Sequence, residues 1–184
     1  MPAPATPIFF TLAGMIDQLM AQRTFQMFTA AIRDGYEECH LLVQSAGGFV
    51  GDGIALHNFL KNLPINLTTY NVGQVSSAAV FVYLAGNKRI AAESAVFMIH
   101  RPANMSPGGM AEAVASVADS LRIDDERSEA LLKQLTTMPP KKWAAYAKNN
   151  LHVSAKDSIG YGMTHELGLF APTKGAPIYN VSNA

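Results

Sequence analysis

Cys39 is the single cysteine in a chain of 184 residues. An internal disulfide is therefore excluded, and so is any Cys-X-X-Cys metal or redox pair. The five histidines (His40, His57, His100, His152 and His165) show no HExxH spacing, so no metal site is expected. No P-loop and no GxGxxG is present. No cofactor is expected, and any ATP would belong to a partner. Charge is scarce too. Charged residues make up 15% of the chain, and 14 basic ones balance 14 acidic ones. Without a basic field, no nucleic-acid partner is expected. The longest uncharged apolar run, Ala78 to Gly86, is far too short to span a bilayer, so no membrane partner is expected. The opening MPAPATPIFF has neither the basic n-region nor the apolar h-region of a secretory signal. A cytoplasmic location is the expectation.

What the chain has in quantity is apolar surface, at 49% hydrophobic residues. This length suits one ordinary domain. That much apolar surface is more than a soluble monomer needs, which points to burial by other subunits. The nine methionines read as adaptable core or interface filler. No repeat or low-complexity linker divides the sequence.

Short β-rich runs alternate with helical patterns. Strands are expected at 7–14 (PIFFTLAG), 39–45 (CHLLVQS), 65–73 (INLTTYNVG), within 88–100 as two short segments, and at 165–170 (HELGLF). Helices are expected at 15–34, 53–63, from Ser77 to about Gly86, 110–137, from Pro139–Pro140 to Lys148, and 154–162 with Ser154 as N-cap. The tail, 171–184, is expected to be loose. This alternation predicts an α/β fold with a largely parallel sheet buried on both faces. Reactive groups in such sheets sit where strand ends meet helix starts.

Three such junctions carry chemistry. VQSAGG (43–48) places two glycines after a buried strand, allowing backbone N–H groups to approach a ligand closely. GQVSSAAV (73–80) places Ser77 at a strand-to-helix turn, where free N–H groups favour a developing anion. VFMIHRP (96–102) ends an apolar strand in His100, a candidate base. Singly, each has an ordinary reading: a tight turn, a helix cap, a structural histidine. Together they supply the parts of acyl transfer: nucleophile, base and oxyanion hole. The glycine-rich SPGGM (106–110) could cradle phosphate, but it reads more simply as a flexible turn before a helix.

These stretches resemble the proteolytic subunit of the Clp protease family. SAGG, then GQVSSAA with Ser77 lying 29 residues after Gly48, then VFMIHRP, keep the order of that family's SPGG, GQAASMGA and M-I-H-x-P. VSAKDSIGYGMTHEL (153–167) is similar to its L-S-A-x-E-A-x-x-Y-G-L-V-D, so the likeness covers about residues 7–170. The resemblance implies Ser77 as nucleophile, His100 as base and the N–H groups of Gly48 and Ala78 as oxyanion donors. Ser76 falls on an alanine of the motif, which implies a structural role. The fold implied is the ClpP/crotonase type of wound ββα repeats in a single domain. Its head would be 7–104 and 138–170, with a projecting handle at about 105–137 that packs rings together.

Departures qualify the activity. The family's R-D-x-F-L-S-A reads NNLHVSA here, so the third triad member falls on Asn150 and the ring-joining arginine on Asn149. Only six residues precede the first expected strand, from which a missing axial loop, and hence doubtful docking of a Clp ATPase, is expected. The expected function is a serine endopeptidase subunit acting on peptides in a homo-oligomeric chamber, with a Ser-His-Asn triad and low or conditional activity. One alternative is a weak or inactive structural subunit paired with an active ClpP paralogue. Another is a crotonase-type thioester enzyme, which needs neither the serine nor the histidine.

Overall fold

The computed structural model describes residues 6–103, 109–148 and 150–181. Part of the SPGGM loop and Asn149 lie outside them. Six parallel strands form the main sheet: β1 (Ile8–Ala13), β2 (Glu38–Gln44), β3 (Asn66–Asn71), β5 (Lys88–Ala91), β8 (Glu166–Leu167) and β9 (Ile178–Asn180), in the order β8-β5-β3-β2-β1-β9. A smaller sheet sets β6 (Val96–Ile99) between β4 (Gln74–Ser76) and β7 (Leu151–Ser154). β4 runs parallel to β6, and β7 runs antiparallel to it.

Six helices cover these sheets: α1 (Gln18–Arg33), α2 (Val50–Lys61), α3 (Ala79–Leu84), α4 (Ala111–Leu135), α5 (Pro140–Tyr146) and α6 (Ala155–Gly160). None of the helices among the described residues is long and apolar enough to cross a membrane. The expected α/β fold with a parallel sheet is present. In α1, Asp17 caps the start by accepting the Met20 N–H at 2.8 Å, and the stripe Met20, Thr24, Phe28, Ala31 turns inward at helical spacing. Ser154 caps α6, as its position before that helix predicts, accepting the Asp157 N–H at 3.1 Å. All six residues of α3 are buried, so the helix that follows Ser77 runs through the core rather than over it.

Several expected boundaries shift. The strand expected at 65–73 is two, β3 and β4, because the chain breaks at Gly73, whose N–H donates to the Asn71 side chain at 3.1 Å. α2 begins at Val50 rather than 53, since the glycines at 51 and 53 are absorbed into the helix. Of 165–170 only Glu166–Leu167 pairs with the sheet. β7 was not anticipated; its short LHVS run is too brief to declare itself without its partner β6. The tail 171–184 is not wholly loose. Ile178–Asn180 completes the sheet as β9 beside β1, with Phe9 N–H donating to Pro177 O at 2.9 Å and Val181 N–H to Thr11 O at 2.7 Å.

The long helix α4 runs over Ala111–Leu135, inside the stretch 105–137. Its only buried side chains are Ser128 and Leu132, both in its C-terminal half. Met110, just before the helix, is 81% exposed, and Val114 in its first turns 45%.

Candidate active site

Ser77 stands between β4 and α3 with φ of 53°, alone among the described non-glycine residues in having a positive value. A β-carbon in that region costs energy, so the surrounding structure must hold it there. Two bonds do so from below. Ser76 N–H donates to Ser45 O at 2.9 Å, and Ser77 N–H donates to Met98 O at 2.7 Å. Ser76 itself is fully buried and its hydroxyl accepts from the Gln74 amide at 2.9 Å, in keeping with a structural role.

The glycine pair supplies the other wall. A β-carbon on Gly47 would lie 2.5 Å from the Ser77 β-carbon and 3.1 Å from its Oγ. One on Gly48 would strike the backbone of Ile16. Ile16 N–H donates to Gly47 O at 2.9 Å and Phe49 N–H to Ile16 O at 2.8 Å, so the loop is stitched to the end of β1. Among the described residues no backbone carbonyl accepts from the N–H of Gly48 or Ala78. Both remain available to a negatively charged oxygen.

His100 follows the last residue of β6 and is half-buried. It shares one open cleft with Ser77, Gly48 and Val50, and a narrower slot with Ser77, Ala78, Phe81 and Leu132. Asn150 is exposed and lines neither. It precedes β7, and the pairing Ile99↔Leu151, carried one rung further, sets it opposite His100. The structure thus places Ser77 and His100 on both the cleft and the slot, Gly48 on the cleft and Ala78 on the slot, while Asn150 lines neither. No hydrogen bond joins Ser77 to His100, or His100 to Asn150, among the described residues.

Two further groups frame the site. Arg101, next to His100, forms an ion pair with Asp125 at 3.2 Å and lies 3.7 Å from Glu129, tying the end of β6 to α4. His57, buried beneath α3, donates its Nδ1–H to Phe81 O at 2.9 Å, and burial lowers its pKa. The sequence reading did not identify Val50, Pro102, Ser128 or Leu132 as cavity residues. The i, i+4 spacing of Ser128 and Leu132 marks one face of a helix, but nothing local says what that face meets.

A serine on a strained strand-to-helix turn, a histidine lining the same cleft and free N–H groups make an arrangement suited to acyl transfer. The chain belongs to the Clp protease family, whose sequence model matches residues 7–168. It is 24% identical over 154 residues to an ATP-dependent Clp protease proteolytic subunit of Paracoccus denitrificans, covering 83% of this chain and 77% of that one. With the ATP-dependent Clp protease proteolytic subunit 3 of Rhizobium meliloti it shares 26% over 156 residues, 84% of this chain and 80% of the relative. Among solved structures, an asparagine-to-aspartate mutant of ClpP1 from Listeria monocytogenes superposes with a TM-score of 0.77 at 21% identity, over 88% of this chain and 91% of that one. That likeness is one of fold. The chain is accordingly a Clp-type serine peptidase subunit.

Proposed function

We propose that Ser77 is the nucleophile of this peptidase and His100 its base, with the Gly48 and Ala78 N–H groups as oxyanion donors and Asn150 as the third member. The observation that carries this reading is the strained Ser77 turn, which shares its cavity with His100. In the first step the Ser77 Oγ attacks the peptide carbonyl carbon while its proton passes to His100 Nε2. The carbonyl oxygen becomes an oxyanion held by the two N–H groups. Collapse breaks the C–N bond, and His100 returns the proton to the leaving amine. Water then attacks the acyl-serine with His100 again as base, releasing the carboxylic acid product and restoring Ser77.

Asn150 can accept the Nδ1–H of His100 through its amide carbonyl but offers no negative charge to the imidazolium. Low activity follows, conditional on assembly that turns Asn150 toward His100. The exposed apolar side chains Val114 and Ile123 of α4, with Met110 just before it, support a homo-oligomeric ring as the setting, the peptide being cut inside its chamber. The test is labelling by a fluorophosphonate probe followed by peptide mapping. Modification of Ser77, lost in Ser77→Ala, is the expected result; an unlabelled, folded oligomer would remove Ser77 from the chemistry.

A further inference from the structure

The slot beside Ser77 is lined by Val50, Ala78, Phe81, Ile99 and Leu132, and by one polar side chain from α4, Ser128. Ser128 is 3% exposed, and its hydroxyl has no hydrogen-bond partner. A serine inside a helix ordinarily bonds back to the carbonyl four residues earlier or points to water. Other buried helix-associated hydroxyls among the described residues are paired: Thr24 Oγ1 donates to Met20 O and Thr136 Oγ1 to Leu132 O, each at 2.8 Å, and Ser158 Oγ lies 2.6 Å from Ala155 O. Ser128 does neither. A buried hydroxyl left unpaired lowers stability, and a smaller apolar residue would fill the same place without that cost. The two side chains that α4 buries, Ser128 and Leu132, both wall this slot. The orphan hydroxyl therefore sits where a bound side chain would end.

We propose that Ser128 is a specificity-determining residue that selects peptides carrying a short hydroxyl side chain on the residue whose carbonyl is attacked. This rests on the reading of Ser77 and His100 given above. A carbonyl set against the Ala78 N–H leaves the side chain of that same residue nearest the slot, because Ala78 lines it. The free volume is about 20 Å³, room for one water or the tip of a short side chain, and Phe81 and Leu132 close the sides. Threonine fits this description: its methyl meets the apolar walls and its hydroxyl pairs with Ser128 Oγ. Valine has the same shape and leaves Ser128 unpaired. A site built to bond a hydroxyl discriminates against the analogue that lacks it.

The experiment uses fluorogenic peptides identical except for threonine, valine or phenylalanine at that position. We expect kcat/KM for threonine to exceed that for valine by about tenfold, with phenylalanine slowest. Ser128→Ala should level threonine and valine without lowering the thermal midpoint. Ser128→Cys, which keeps the volume but bonds weakly, should fall between. If the wild-type chain treats threonine and valine alike, or Ser128→Ala keeps the difference, the proposal is overturned while the peptidase reading stands. If no peptide is cleaved and Ser77 is not labelled, the peptidase reading fails. Equilibrium binding of the same peptides to Ser77→Ala then decides the slot: equal affinities overturn the proposal, and tighter threonine binding that Ser128→Ala abolishes upholds it.

Discussion

The backbone N–H of Ser77 donates to the carbonyl of Met98 at 2.7 Å, two residues before His100. The turn that carries the hydroxyl and the strand that carries the imidazole are thus fixed to each other through the main chain. Side-chain substitutions near the cleft should leave that relationship standing, and substitutions that move the backbone should not.

Gly47→Ala is of the second kind. The added methyl would lie 2.5 Å from the Ser77 β-carbon, and Gly47 has φ of 109°. We expect a loss of about 2 kcal/mol in stability, read from urea unfolding, and loss of fluorophosphonate labelling. Gly160→Ala is the control, because a methyl there meets nothing within 4 Å. Equal behaviour of the two variants would mean that Gly47 does not support Ser77.

Asn150→Asp tests the third member. In a serine protease of another fold, the reverse exchange at the corresponding position lowers kcat about 10⁴-fold. Here the aspartate should raise kcat on a short peptide at least about tenfold, equivalent to ~1.4 kcal/mol of barrier. An unchanged rate in a chain that does cleave peptides would place the group that orients His100 elsewhere.

Tyr146 gives a pH-dependent expectation. It is buried and its pKa is pushed up to about 12, chiefly by burial and then by Asp125 and Glu129. Asp125 is near enough to be felt, yet the Tyr146 hydroxyl and Asp125 Oδ1 are both without a hydrogen-bond partner. The unfolded phenol ionises near the ordinary tyrosine value of 10.0, where the folded one is still mostly neutral. Its contribution to stability is therefore complete below pH 10 and is lost as pH rises toward 12. Tyr146→Phe should be as stable as the parent at pH 7, or more so. Its advantage should widen by about 1 kcal/mol near pH 11. A difference between the two chains that stays constant from pH 7 to 11 would contradict this.

Assembly is the fourth expectation. Met110, Val114 and Ile123 on α4 are 81%, 45% and 53% exposed, a cost that a second copy would relieve. Native mass spectrometry at micromolar concentration should find a multimer, and Val114→Glu should weaken it. A monomer for the unmodified chain would remove the chamber from the proposed function.

The alternating strands and helices were legible because each apolar run carries its own period: CHLLVQS reads as a strand and 15–34 as a helix, observed as Glu38–Gln44 and Gln18–Arg33. Ser77, His100, Gly48 and Ala78 were legible because each sits at a junction with a local signature; Ser77 and His100 line both the cleft and the slot, Gly48 the cleft and Ala78 the slot. What stayed hidden depends on partners distant in sequence. β7 exists because β6 pairs with it, and β9 because β1 leaves an edge open. Ser128 looks like any polar residue of an exposed helix until α4 is laid against α2. The distance of Asn150 from the cleft is likewise a matter of how two strand ends meet.

The pairing of β9 with β1 also orders events in time. β1 lies near one end of the described chain and β9 near the other. During synthesis β1 can pair with β2 early, but its outer edge waits until Ile178–Asn180 has emerged. Until then the nascent chain shows a row of open N–H and C=O groups beside Phe10, the residue that Tyr179 later covers at 6.1 Å between ring centroids. Parallel pairing over so long a separation is slow to form. Pairing with Ile178–Asn180 covers the edge of β1 and leaves the shorter, three-residue β9 as the edge of the finished sheet.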